Sequence, residues 1–297
     1  MRLAILGLGH MGAAIAERLE PTEHAVAVWN RSPGPAAPFA ARGLRVLERP
    51  CDTWQHAEVA ITMLADDAAV GAVVSGRGGL LSGEVPMGCA LIDMSTISAA
   101  ASAAIATAAA ARGLEYLRAP VSGNPSVVTA GKLGIIVSGP RQSRDRLEPV
   151  LRAIGASVFH VGDGEQARIV KLALNLMIGG TTQLLAEALV LSERNGIDRA
   201  RLLEVVAASA IGSPYVSYKR ESLTAGDYSS TFTARLLHKD LSLALEAGHG
   251  ASVPLPVTAL VAQLTESCIA QGWGDLDLTA LVPALERASG ASPDIRA

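Results

Sequence analysis

Lys171 and Asn175 stand four residues apart in the segment RIVKLALNLMIGG, residues 168–180, where most neighbours are apolar. On a helix that spacing puts both side chains on one face, with Gly179 continuing the stripe and leaving room for a ligand to approach. An unpaired ammonium in apolar surroundings is costly unless it reaches water, meets a counter-charge or loses its proton. A lone lysine at a helix edge ordinarily snorkels to solvent. At a reacting centre it has another use: reducing a carbonyl by hydride transfer builds negative charge on oxygen, and a lysine can both stabilise that charge and donate the proton.

A hydride needs a carrier, and the first residues supply the pattern for one. LAILGLGHMGAAIAERL places Gly7, Gly9 and Gly12 in G-x-G-x-x-G register, after a strand-like run and opening a helix-like one. Gly7 permits the tight turn, Gly9 lets the backbone approach a pyrophosphate, and Gly12 lets the helix pack close to the strand. The helix N-terminus then offers free N–H groups and a partial positive charge to the phosphates. Leu8, His10 and Met11 complete the loop; His10 is expected to face solvent or the phosphates and to take no part in catalysis. At the end of the second strand, where NAD-binding versions carry a carboxylate, this chain has WNRS. Arg31 can pair with a 2′-phosphate, and Asn30 and Ser32 can add hydrogen bonds, so NADP(H) is the expected cofactor with NAD(H) as the alternative. Met63 and Leu64, at the end of EVAITML, are counted with the cofactor-binding residues.

The elements that must position these groups fall into two halves. From residue 2 to about 162, strand-like runs (RLAIL, AVAVWN, EVAITML, ALIDMS, LEYLRAPV, GIIVSG) alternate with Ala-rich helical stretches, the pattern of βαβ units and a largely parallel sheet. After SVFHVGDGE the character changes. Helical sequence without proline runs from Gln166 to Arg194, and the Asn195–Gly196 pair supplies a left-handed stop. DRARLLEVVAAS, RLLHKDLSLALEAGH and PVTALVAQLTESCIAQG read as further helices. The expectation is an α/β Rossmann domain over 1–163 that binds the cofactor. An all-α domain over 164–297 follows, for substrate and dimerisation, joined through the long helix at about 166–194.

Composition narrows the classes. With 28 acidic and 25 basic residues among 297, and no basic block, nucleic acid is not an expected partner. The widely separated Cys51, Cys89 and Cys268 read as core thiols, with no ligand cluster for a metal. No uninterrupted apolar run reaches the roughly 18 residues of a membrane span. A cytoplasmic protein without a membrane partner is the expectation. Asp67 and Asp93, near strand ends, read as loop caps rather than acid catalysts.

Five segments, GLGHMG, DMSTIS, APVSGN, KLALN and HKDLSLAL, stand in this order over residues 1 to about 250. The set resembles the β-hydroxyacid dehydrogenases, which include 3-hydroxyisobutyrate dehydrogenase and the glyoxylate/succinic semialdehyde reductases. The resemblance implies a Rossmann domain and a helical domain joined by one long helix. It implies that Lys171 is catalytic and that Asn175 helps bind substrate. Ser122 and Gly123 would hold the substrate carboxylate, with Asn124 beside them, and Thr96 and Lys239 would contact the cofactor. The implied activity is the interconversion of a small carboxylic-acid semialdehyde and its hydroxyacid, in a homodimer or homotetramer.

Two departures stand out. Family members commonly carry a second glycine after VSG, whereas Asn124 and Pro125 stand here, which narrows the pocket or adds a polar contact. GDGEQARIV carries Glu165, Gln166 and Ala167 where many relatives have a glycine-rich turn. Two rivals remain: an imine reductase of the same fold, which generally has aspartate or tyrosine in place of Lys171, and a nonenzymatic NADP-binding protein, which would be expected to have lost that lysine.

Overall fold

The structure, a computed structural model, describes residues 1–230 and 232–291. The chain divides into two compact units, Met1–Lys171 and Leu172–Ala297. In the first unit, nine strands form one sheet: β1 (Arg2–Leu6), β2 (Ala25–Trp29), β3 (Arg45–Val46), β4 (Val59–Thr62), β5 (Ala90–Asp93), β6 (Glu115–Arg118), β7 (Val121–Ser122), β8 (Gly134–Ser138) and β9 (Ser157–Gly162). Their order is β3-β2-β1-β4-β5-β6-β8-β7, with β9 pairing β8. Strands β1 to β6 pair in parallel, β8 runs antiparallel to β6 and β7, and β9 returns parallel to β8.

The chain winds from β1 to β3 on one side and from β4 to β6 on the other, so β1 and β4 flank the point where winding reverses. Ligands of such sheets bind at the carboxyl ends of the strands at that point. The segments singled out at residues 7–12, 30–32, 63–64 and 96 all follow the carboxyl ends of β1, β2, β4 and β5.

The central strands are apolar throughout because both faces are covered. Leu3, Ile5, Ile61 and Ile92 pack with Ile15 and Leu19 on one face; Ala4, Leu6, Ala60 and Leu91 pack with Val70, Val74 and Ile105 on the other. The side-chain period of two assigns alternate residues to opposite cores.

Two expectations are corrected. LEYLRAPV is not one strand but β6 and β7, which part at Ala119–Pro120, where proline lacks an N–H; β6 lies between β5 and β8, whereas β7 pairs with β8 alone. SVFHVG, expected only as the point where the chain changes character, is the strand β9. The helix Arg141–Ile154, with Pro149 inside it, was not among the expected elements either.

In the second unit, helices Arg199–Ala208, Pro214–Ala225, Ala234–Gly250, Pro256–Cys268 and Leu281–Ala288 share a core with the long helix Gln166–Arg194. Leu185, Leu189, Leu203, Leu223, Leu237, Leu241, Val261 and Leu281 form that core. Asp198, Ser213 and Thr233 cap three of the helices, each accepting from a backbone N–H two or three residues on. Gly196, at φ +79°, ends the long helix, and Lys219 and Asp277 form a buried pair at 2.7 Å.

By length and composition the long helix is apolar enough to cross a membrane, alone among the described residues. Its polar residues mark a protein interior instead: Arg168 and Asn175 are each 1 % exposed and hydrogen-bonded within protein. Cys89 and Cys268 are buried, and burial raises both thiols, Cys268 to about 11. Cys51 is only half-buried, with Sγ 3.6 Å from Asp52 Oδ1, and so departs from the core-thiol expectation.

Candidate functional site

The glycine loop is dense on one side and open on the other. Gly7 leaves β1 at φ +103°, and its N–H donates to Trp29 O at 2.9 Å. A methyl group at Gly7 would meet Met63 O at 2.4 Å, and one at Gly12 would meet Gly7 O at 1.9 Å. Gly9 has nothing within 4 Å of where a side chain would begin. Gly9 is also the N-cap of helix His10–Leu19, with no side-chain cap and no acidic residue in the first turn. The first N–H groups of a helix have no partner within it. An open backbone face, uncapped N–H groups and no carboxylate nearby fit a dinucleotide pyrophosphate. His10 is exposed at the first helical position and Met11 is half-buried.

Leu8 and Asn30 serve this loop from behind. Leu8 is 4 % exposed, packs in the core, and donates its N–H to Asn30 Oδ1 at 2.9 Å. Asn30 Nδ2 donates in turn to Ser32 O and Ser32 Oγ. Asn30 therefore ties the first loop to the second, a role the sequence reading did not give it. Arg31 and Ser32 are exposed just beyond.

The loops after β4 and β5 are joined by a buried carboxylate. Asp93, fully buried, accepts from Thr62 Oγ1 (2.8 Å) and Ser95 N (3.1 Å) through Oδ1, and from Arg168 Nη2 (2.6 Å) through Oδ2. Met63 donates its N–H to Leu6 O, and Leu64 donates its own to Ser95 Oγ. Thr96, half-buried, follows at once. Both aspartates act as caps as expected: Asp67 accepts from the N–H and hydroxyl of Ser98. Arg168 was missed, and its only sequence signal was a second lone cation in the same apolar segment as Lys171.

Ser122 is exposed in β7, and Gly123 follows at φ +143°, where a methyl group would press on Leu133 and Val127 at 2.9 and 3.0 Å. Asn124 caps the short helix Pro125–Thr129, its Oδ1 accepting from Val127 N and Ser126 Oγ, with Pro125 at the first helical position. The departure after VSG is thus an N-cap followed by an N1 proline. Asn124 Oδ1 is committed to the cap, which leaves Nδ2 as the group that can meet a ligand.

Lys171 is half-buried on the long helix and is the last residue of the first unit. In the second unit, Asn175 Nδ2 donates to Asp240 Oδ2, and both residues are buried. Asn175 Oδ1 is buried without a hydrogen-bond partner. Lys239, half-buried beside Asp240 on helix Ala234–Gly250, holds Nζ 2.9 Å from Asp240 Oδ1, an ion-pair contact without hydrogen-bond alignment. Asp240, which fixes the Asn175 amide, was not singled out in the sequence although it adjoins Lys239.

Comparison with known proteins agrees with this arrangement. Residues 2–162 match the family model described as the NAD binding domain of 6-phosphogluconate dehydrogenase. Residues 165–285 match the one described as NAD-binding of NADP-dependent 3-hydroxyisobutyrate dehydrogenase. The chain belongs to the β-hydroxyacid dehydrogenase family. Among members of this family, it is 35 % identical to 3-hydroxyisobutyrate dehydrogenase of Pseudomonas aeruginosa, over 88 % of this chain and 90 % of that one. It is 33 % identical to 2-(hydroxymethyl)glutarate dehydrogenase of Eubacterium barkeri, over 98 % and 97 %. The crystal structure of a 3-hydroxyisobutyrate dehydrogenase from Salmonella typhimurium superposes with TM-score 0.87 at 26 % identity, covering 95 % of this chain and 99 % of the other. As a β-hydroxyacid dehydrogenase, the protein is an NAD(P)-dependent oxidoreductase of the 3-hydroxyacid dehydrogenase type.

Gly12→Ala is expected to displace the loop, because the added methyl would run into the backbone carbonyl of Gly7, which no side-chain rotation can relieve. Cofactor binding, followed by quenching of tryptophan fluorescence, should weaken at least tenfold, whereas Gly9→Ala, facing open space, should retain the fold with a smaller loss. Equal affinity in Gly12→Ala and the parent protein would refute the steric argument.

Proposed function

We propose that this β-hydroxyacid dehydrogenase interconverts a small carboxylic-acid semialdehyde and its hydroxyacid, prefers NADP(H), and uses Lys171 as the catalytic residue. The observation that carries the reading is Lys171 itself: an ammonium half-buried on a helix whose first turn is tied by buried bonds to the strand ends bearing the dinucleotide loops. When bound, the nicotinamide supplies or takes up the hydride. Lys171 hydrogen-bonds the carbonyl oxygen, stabilises the charge that develops there and delivers its proton; in the reverse direction it removes the hydroxyl proton. Ser122 Oγ, the Gly123 N–H and Asn124 Nδ2 hold the substrate carboxylate. Asn175, its amide oriented by Asp240, binds substrate, and Thr96 and Lys239 contact the cofactor.

Preference for NADP(H) is supported by the β2 end. Arg31 is exposed and makes no ion pair among the described residues, and no carboxylate stands beside it. Leu8, Met63 and Leu64 shape the cofactor cradle from the core side, while Gly7, Gly9, His10, Met11 and Gly12 line it.

The division of labour is not a strict split: residues 1–163 bind most of the cofactor and lend Ser122, Gly123 and Asn124 to the substrate, while 164–297 serve substrate binding and self-association and lend Lys239 to the cofactor. Met177, Leu184 and Leu191 recur every seven residues on the long helix at 64, 67 and 67 % exposure, and Val257 and Leu260 are exposed on helix Pro256–Cys268. A repeating apolar stripe of this kind supports a homodimer formed through the helical units.

Purified protein should oxidise NADPH faster than NADH with one or more of glyoxylate, succinic semialdehyde, methylmalonate semialdehyde and tartronate semialdehyde. Lys171→Ala should lower kcat by about 10²- to 10⁴-fold. Full turnover in that variant would remove the lysine from the chemistry. Activity on cyclic imines with none on the semialdehydes would favour the imine reductase reading instead.

Arg31→Ala should raise the KM for NADPH by about tenfold or more, the loss of a charge-assisted phosphate contact, and leave NADH nearly unchanged. Equal losses would place 2′-phosphate recognition elsewhere. Light scattering should give at least a dimer at micromolar concentration, reduced by Leu184→Glu; a monomeric parent protein would sink the interface.

A further inference from the structure

Arg168 lies one helical turn before Lys171, and its guanidinium is among the most enclosed polar groups in the chain, 1 % exposed. Nη2 donates to Asp93 Oδ2 at 2.6 Å and to the Tyr116 hydroxyl at 2.9 Å; Nη1 donates to Ser95 O at 2.6 Å; Nε donates to Ser102 Oγ at 3.2 Å. These partners come from β5, the loop after it, β6 and helix Ala99–Ala110, so the fork is gripped from several directions. Burial pushes the Tyr116 phenol up to about 12, which keeps it a neutral partner inside the network.

The residues just before Arg168 are anchored as well. Glu165 pairs with Arg118 of β6, and the Arg118 guanidinium lies 4.7 Å over the Tyr116 ring. Ser138 Oγ, at the end of β8, donates to Gly164 O at 2.6 Å and accepts from Ala167 N at 3.2 Å. Gln166 Oε1 accepts from Gly164 N. The departure at GDGEQARIV therefore replaces a glycine-rich turn with side chains that clamp the start of the long helix.

We infer that Arg168 is a positioning residue for Lys171: its buried contacts with Asp93, Ser95, Tyr116 and Ser102 fix the rotation and axial position of the helix one turn before the lysine. The inference rests on the catalytic reading of Lys171. Three helical residues advance the axis by about 4.5 Å, and the intervening backbone bonds transmit a twist or slide at residue 168 directly to residue 171. The same carboxylate holds Thr62 and Ser95, and Ser95 holds Leu64, so the lysine is referenced to the loops after β4 and β5. Stability alone does not call for such a network, since a buried ion pair can often be replaced by apolar side chains with little loss. Misplacing a reacting group by about 1 Å, in contrast, can cost about 10²-fold in rate.

The test compares Arg168→Met, Arg168→Lys, the double variant Arg168→Met/Asp93→Asn, and Lys171→Ala, by kcat, KM, NADPH affinity and thermal midpoint. A second readout uses the protein without cofactor: the trinitrobenzenesulfonate labelling rate of each of its four lysines, Lys132, Lys171, Lys219 and Lys239, quantified by peptide mass spectrometry. Arg168→Met should lower kcat by about 10- to 100-fold with NADPH affinity changed less than about threefold, and change labelling severalfold at Lys171 alone. Arg168→Lys, which keeps a charge for Asp93 but loses the fork, should fall between, and serves if the Met variant does not fold. The double variant removes both buried charges; its midpoint should recover relative to Arg168→Met while kcat stays low. Recovery of kcat together with the midpoint would overturn the inference, as would unchanged kcat and labelling in Arg168→Met when Lys171→Ala is inactive. If Lys171→Ala keeps its turnover, the catalytic reading falls, and the Lys171 labelling rate still decides whether Arg168 positions the lysine.

Discussion

The Asp93–Arg168 ion pair sets the geometry on which the first unit's chemistry depends. A charge removed from water must have its bonding capacity met inside the protein, and a guanidinium needs acceptors spread around its plane. Here the acceptors are a carboxylate, a backbone carbonyl, a phenol and a hydroxyl, drawn from separate elements. Loss of the carboxylate would strand a buried charge, and loss of any of the other three would leave a buried N–H short of an acceptor. The ends of β4 and β5 and the start of the long helix are therefore fixed to one another by electrostatics as well as packing.

Steric exclusion does for the first loop what the ion pair does for the others. Gly7 lies against Met63 O and Gly12 against Gly7 O, so the turn has no slack on the sheet side, and Asn30 closes it from the β2 end. Only Gly9 is left facing space. A loop packed tightly on one side and bare on the other presents its backbone N–H groups in one direction, which is what recognition of a diphosphate requires.

The helical unit follows the same logic. Its core is mostly aliphatic with Tyr228 buried among it, and its buried charges have polar partners: Lys219 with Asp277, and Asp240 with Asn175. Pairing lets a helix with buried polar residues pack against apolar neighbours without an uncompensated charge. It also fixes the Asn175 amide, so a side chain that sequence alone places on a helix face acquires a single orientation.

Much of this was legible in the sequence because it is local. The G-x-G-x-x-G register, the absence of a carboxylate after β2, the bounds of the long helix and its left-handed stop at Gly196 follow from backbone sterics, propensity and period over a few residues. The split of LEYLRAPV into two strands, the strand at SVFHVG and the committed side of Asn124 depended on pairing and capping partners that the sequence reading did not supply. Least legible was the partnership of Asp93 with Arg168, 75 residues apart, and of Asn175 with Asp240, 65 apart. Residue type announces that a buried charge needs a partner. Which partner it takes is decided only when the sheet order and the helix packing bring distant segments within about 3 Å, the range over which a hydrogen bond acts.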